Sequence, residues 1–167
     1  GTSIASAVIT VVEPYQLASA PTGLAATRTA TALQLTWTAP DFLGGSAVSQ
    51  YLVQYSTNGG ASWVTANTAT TTTANVGVPP KGLTFSYRVV ARTLAGLSPA
   101  SNVVAYTSPQ TVSSAVRLVS ALSTGAGSFN LTFNAPSDLG GYMTFNYRVE
   151  VLVNNVWSSL ASGSGAA

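Results

Sequence analysis

Four carboxylates, six cations and a large stock of hydroxyls make up the reactive inventory of this 167-residue sequence, which has no histidine and no cysteine. Without those two residue types there is no imidazole acid–base chemistry, no thiolate nucleophile and no Cys/His zinc site. Disulfides are excluded too. Carboxylate chemistry is what remains to be weighed. The carboxylates are Glu13, Asp41, Asp138 and Glu150. A hydrolytic pair needs two of them a few ångströms apart. Asp41 and Asp138 fall instead in equivalent turns of two repeats, and Glu13 falls in a hinge. Each Asp is therefore expected to bond the backbone of its own turn. A calcium site needs several clustered oxygens, and Glu13 has no acidic neighbour in sequence.

Serine hydroxyls need a base to become nucleophiles. Lys81, in the turn Pro79-Pro80-Lys81-Gly82, reads as a solvated loop residue rather than that base. Gly44-Gly45 and Gly59-Gly60 are turn glycines and not phosphate cradles, because no helix pattern follows them. The sequence thus predicts a non-enzyme, with no catalytic residue, no cofactor and no metal.

Charge points the same way. Charged residues are 6% of the chain and the net charge is +2. The cations Arg28, Lys81, Arg88, Arg92, Arg117 and Arg148 are scattered. Nucleic-acid binding requires a clustered basic footprint, so no nucleic-acid partner is expected. No apolar run reaches the 18 or so residues of a membrane span. The opening Gly1-Thr2-Ser3-Ile4 lacks the basic flank of a signal peptide. Hydrophobic residues are 46% of the chain, enough for a core. Solubility then rests on Thr, Ser, Asn and Gln.

The elements that would position these groups are strands. Period-2 alternation places Leu33, Leu35 and Trp37 on one face, then Tyr51, Val53 and Tyr55, then Phe85, Tyr87, Val89 and Ala91, with Arg88 on the opposite face. Turn clusters separate them at 39–45, 58–60, 79–82 and 95–96. No helix-length amphipathic segment occurs, so the predicted class is all-β. The Thr-rich run 68–73 reads as an edge strand, open to strand addition or to O-linked sugar.

The chain also repeats itself. Residues 33–45, Leu-Gln-Leu-Thr-Trp-Thr-Ala-Pro-Asp-Phe-Leu-Gly-Gly, return at 129–141 as Phe-Asn-Leu-Thr-Phe-Asn-Ala-Pro-Ser-Asp-Leu-Gly-Gly. The register continues, matching Tyr51 to Tyr147 and Val53 to Val149, with Phe133 in the place of Trp37. Residues 4–14 echo 99–109, each a strand followed by proline. Three parts are expected. Residues 1–14 form the closing strand of a preceding domain, residues 18–109 a complete domain, and residues 112–167 an incomplete second one. The stretch reads as cut out of phase from a tandem array, with completion by neighbouring chains as the less favoured reading.

The complete unit resembles a fibronectin type III domain. Carrying the resemblance are Pro21 and Leu24 on the first strand, Trp37 and Pro40 at the second, and Tyr51-x-Val53-x-Tyr55 on the third. Leu83, Tyr87, Val89 and Ala91 follow on a later strand, and Gly96-x-Ser98-x-x-Ser101 closes the pattern. The second unit departs from it, with Ala115 or Val116 for the proline and Phe133 for the tryptophan. The resemblance implies an immunoglobulin-like β-sandwich and a structural or adhesive role. The family's Arg-Gly-Asp attachment motif is absent. Apolar residues in loops are then the candidate contacts: Phe42 and Leu43 in one turn, Leu94 and Leu97 in another. Expected partners are neighbouring repeats or subunits, and cell-surface glycans. The expected setting is a secreted or cell-surface filament. A phage virion component and an accessory module of a secreted polysaccharide hydrolase are the alternatives.

Overall fold

The structure, a computed structural model, describes residues 13–166. The strand expected over residues 1–14 lies outside them except for Glu13 and Pro14, which carry no strand. The described residues hold twelve strands and no helix, as the alternation predicts. Two compact units divide the chain, Gly1–Gly77 with Phe85–Tyr106, and Val78–Thr84 with Thr107–Ala167.

The first unit is built from β1 (Thr22–Arg28), β2 (Leu33–Thr38), β3 (Gln50–Ser56), β4 (Val64–Ala69), β5 (Thr73–Val76), β6 (Thr84–Thr93), β7 (Gly96–Leu97) and β8 (Val104–Thr107). One sheet runs β1-β2-β5; the other runs β4-β3-β6-β7, with β8 also paired to β6. The alternating residues meet between them. Leu33, Leu35, Val53, Val89 and Ala91 are fully buried, and Trp37, Tyr51 and Tyr87 nearly so. Trp37 meets Tyr51 edge-on with ring centroids 5.4 Å apart, the geometry that the ring quadrupoles favour. On the outer face, Arg88 donates from Nε to Gln54 Oε1 at 2.8 Å and lies 4.3 Å over the Trp63 ring.

Two devices join segments that leave the regular ladders. A bulge between Thr22 and Ala25 leaves Leu24 out of the β1–β2 register. The Asn102 side chain takes both of its backbone groups: Leu24 N–H donates to Oδ1 at 2.9 Å, and Nδ2 donates to Leu24 O at 3.0 Å. The serines of the Gly-x-Ser-x-x-Ser motif do the same for β6. Ser98 Oγ accepts from Ala91 N–H and Ser101 Oγ from Val89 N–H, each at 3.0 Å. Buried backbone groups must find partners, and these side chains supply them where the chain loops away.

The Thr-rich run differs from expectation. It is not one strand: residues 68–69 end β4, 70–72 bend, and Thr73 begins β5. The run therefore passes from an outer strand of one sheet to an outer strand of the other. Small hydroxyl residues accommodate that crossing, and strand propensity alone did not reveal it.

The second unit contains β9 (Arg117–Gly125), β10 (Ser128–Asn134), β11 (Thr144–Val153) and β12 (Val156–Ala166), as two hairpins, β9–β10 and β11–β12. Asn154 and Asn155 turn the second hairpin with φ of 50° and 64°, the left-handed pair that a two-residue hairpin loop needs and that Asn tolerates. Phe133 meets Tyr147 edge-on at 4.8 Å, repeating the Trp37–Tyr51 contact. None of the described apolar strand residues of this unit is fully buried.

Candidate interaction loops

The β2–β3 connection turns at Gly44 and Gly45, with φ of +66° and +86°. The segment before β1 is stitched to it. Gln16 N–H donates to Gly44 O at 2.9 Å, Ser19 N–H donates to Phe42 O at 2.8 Å, and Phe42 N–H donates to Ser19 Oγ at 3.2 Å. A Cβ on Gly44 would sit 1.8 Å from Gln16 O, so only glycine permits this approach. The second unit repeats the stitch. Thr111 N–H donates to Gly140 O at 2.9 Å, Ser114 N–H donates to Asp138 O at 2.8 Å, and Asp138 N–H donates to Ser114 Oγ at 3.2 Å.

In the first unit the stitch gathers apolar side chains. Leu94 N–H donates to Ser46 Oγ at 3.2 Å, tying the β6–β7 turn to the β2–β3 connection. Ser49 N–H donates to Arg92 O at 2.8 Å beside it. Phe42, Leu43, Leu94 and Leu97 are all exposed, Leu94 most of the four at 74%. Two residues that sequence reasoning passed over join them. A Cβ on Gly45 would contact Tyr15 Cδ1 at 3.5 Å, and one on Gly96 would contact Leu17 Cδ2 at 3.3 Å. Tyr15 and Leu17 are themselves exposed. The signal for them was an apolar pair directly after Pro14, ahead of a strand already assigned.

Two ion pairs form among the described residues, and they do not converge. Asp138 Oδ1 accepts from Gly140 N–H at 2.7 Å, the turn-stabilising bond expected of it. Its Oδ2 receives Lys81 Nζ at 2.5 Å. Lys81 is exposed in its turn, and it makes there a surface ion pair within the second unit that the sequence reading did not foresee. The approach of residues 78–84 to this loop could not be read from local pattern. The Lys81 hydrogen bond, then that from Gly140, holds the Asp138 carboxyl below its usual range. Arg148 pairs with Glu150 at 2.8 Å on β11. Among the described residues no group of three acidic, His or Cys side chains gathers. Burial, then the neighbouring Tyr106 and Tyr55, pushes the Tyr87 hydroxyl up to about 12.

Among the described residues no helix is long and apolar enough to cross a membrane. The family model for the fibronectin type III domain matches residues 19–107. Among solved structures, the chain is similar to domains A168–A170 of titin, at 23% identity over 57% of this chain and 34% of that one, with a TM-score of 0.52. The twitchin kinase region from C. elegans gives 21% identity over 56% of this chain and 17% of that one, TM-score 0.52. A human fourth FNIII domain gives 19% identity over 62% and 89%, TM-score 0.52. The chain therefore spans 34% and 17% of the lengths of these first two structures. All three likenesses concern the fold.

Proposed function

The chain belongs to the fibronectin type III family, whose domains are typically structural or adhesive, and from that premise we propose that it is a non-catalytic repeat of an extracellular or surface-filament protein. What supports the reading most is the recurrence of one stitch, Gln16 to Gly44 and Thr111 to Gly140, in successive units with almost no charge. A chain built this way devotes its sequence to holding extended segments, and its two ion pairs, Lys81–Asp138 and Arg148–Glu150, stand apart along the chain. Its contacts to neighbouring repeats, subunits or surface glycans run through the exposed cluster of Tyr15, Leu17, Phe42, Leu43, Leu94 and Leu97. Apolar patches of this kind are the usual places for partners. The test is location. Antibodies against this chain label intact cells or particles of its source, and external protease removes the label. Labelling that appears only after lysis overturns the reading.

A further inference from the structure

Asn58, Gly59 and Gly60 turn the chain between β3 and β4, and the two glycines hold φ of +70° and +96°. Nine asparagines occur in the chain, and Asn58 is the one followed by glycine. Asn58 and Gly59 are exposed, and a Cβ at Gly59 would meet nothing within 4 Å. The backbone amides on either side of Gly59 are occupied: Asn58 N–H and Gly60 N–H donate to Ser56 Oγ at 3.3 and 2.8 Å. Among the described residues the Gly59 N–H itself has no partner. An unhindered nitrogen thus stands next to a side-chain amide.

That amide is held at both ends. Its Oδ1 accepts from the Ser56 hydroxyl at 2.7 Å and from Ser62 N–H at 3.0 Å. Its Nδ2 donates to Ser62 Oγ at 2.8 Å. Two donors on the oxygen stabilise the negative charge that develops there when the carbonyl carbon is attacked. A hydroxyl both accepts and donates, so Ser62 Oγ can return a proton to the nitrogen as it departs. The turn gathers an electrophile, its charge stabilisers and a proton source around an adjacent nucleophile.

We propose that Asn58 is a self-modification site, converting in the folded chain through a cyclic imide. The Gly59 nitrogen gives its proton to solvent and bonds to Asn58 Cγ, closing a succinimide ring. The Cγ–Nδ2 bond breaks, and ammonia leaves with a proton from Ser62. Water then opens the ring at either carbonyl, leaving an aspartyl or isoaspartyl residue at position 58. One water is consumed and one ammonia released, with no oxidation or reduction. The chain has four carboxylates and a net charge of +2, so a fifth carboxylate halves that charge. The isoaspartyl form also adds a methylene to the main chain beside the seat of Trp63. That ring lies 4.3 Å under Arg88, and a Cβ on Gly60 would be 3.4 Å from its Cζ2. The inference concerns chemistry within one turn and does not depend on where the protein works.

The test incubates the full chain in mildly alkaline buffer, folded and in urea, and follows each asparagine by peptide mapping with mass spectrometry. Aspartyl and isoaspartyl products are expected at residue 58 ahead of the other eight sites, and faster in the folded chain than in urea. Ser62→Ala keeps the backbone donor to Oδ1 and removes the hydroxyl at Nδ2. It is expected to slow conversion at least about five-fold in the folded chain and to leave the rate in urea unchanged. Gly59→Ala is expected to slow conversion in both conditions. Conversion slower in the folded chain than in urea, an unaltered rate in Ser62→Ala, or products spread over the other asparagines overturns the proposal. So does aspartyl product without isoaspartyl, which marks direct hydrolysis instead of the ring.

Discussion

The backbone N–H of Val89 donates to the side-chain oxygen of Ser101 at 3.0 Å, deep in the first unit. Val89 is fully buried and Ser101 nearly so, and the hydroxyl in turn donates to Asn102 O at 2.8 Å. Ser101 N–H meanwhile donates to Val89 O at 2.9 Å, so one residue serves both backbone groups of its partner. Removing the hydroxyl strands a buried donor. Ser101→Ala is expected to cost about 1–3 kcal/mol of unfolding free energy, measured by urea denaturation. Ser101→Thr, which keeps the oxygen, recovers part of the loss where its methyl fits.

Gly44 and Gly140 are expected to be intolerant in the same way. Each has a positive φ, and a Cβ at either would lie 1.8 Å from a carbonyl oxygen of the lead-in segment. Gly44→Ala is expected to cost about 2 kcal/mol or more and to free the amide of Gln16. Amide exchange reads both effects. Gly59, with nothing within 4 Å, is the control; alanine there pays only for its backbone conformation.

Trp37 supplies a sharper comparison, because Phe133 occupies its place in the repeat. Its Nε1 is buried and has no hydrogen-bond partner among the described residues. The indole therefore contributes packing while carrying an uncompensated donor. Trp37→Phe is expected to cost about 1–2 kcal/mol, against about 3–5 kcal/mol for Trp37→Ala. Equal losses for the two variants would show that the six-membered ring alone does not hold the sheets.

Alkaline unfolding is expected to run through Tyr87. Its hydroxyl is pushed up to about 12 in the folded chain from an ordinary value of 10.0. The folded state therefore holds its proton where the unfolded chain has released it. Stability from this group is whole below pH 10, falls as the unfolded state ionises, and is spent by about pH 12. The loss is on the order of 2 kcal/mol. Tyr87→Phe is expected to flatten this segment of the stability profile, while Asp138, whose carboxyl is held low, affects only the acid limb. For Asp138 the contribution is present above the ordinary carboxylate range and disappears as pH falls through its lowered value.

Much of the sandwich was legible because burial writes itself into sequence at period two. Leu33, Leu35 and Trp37, and later Tyr87, Val89 and Ala91, were assigned to the interior by alternation and lie there. The bonds of Ser98, Ser101 and Asn102 were not legible, since a serine or asparagine does not announce which distant amide it will meet. The Lys81–Asp138 pair was missed for the same reason, being 57 residues apart in the chain. The Thr-rich run misled because threonine favours a strand and tolerates a corner equally well. Of the exposed cluster, Phe42, Leu43, Leu94 and Leu97 stood out as apolar residues among turn signals. Tyr15 and Leu17 entered only through the close approaches at Gly45 and Gly96.

The paired stitches at Gly44 and Gly140 also determine how such a chain answers tension. Moving inward from residue 13, the Gln16 and Ser19 bonds to the β2–β3 connection are early links between the lead-in and the body of its unit. A pull on that lead-in loads these few bonds before it reaches the interlocked aromatic interior. Each unit thereby gains a yielding clasp at its entrance, which can open and reclose while the sheets behind it stay shut.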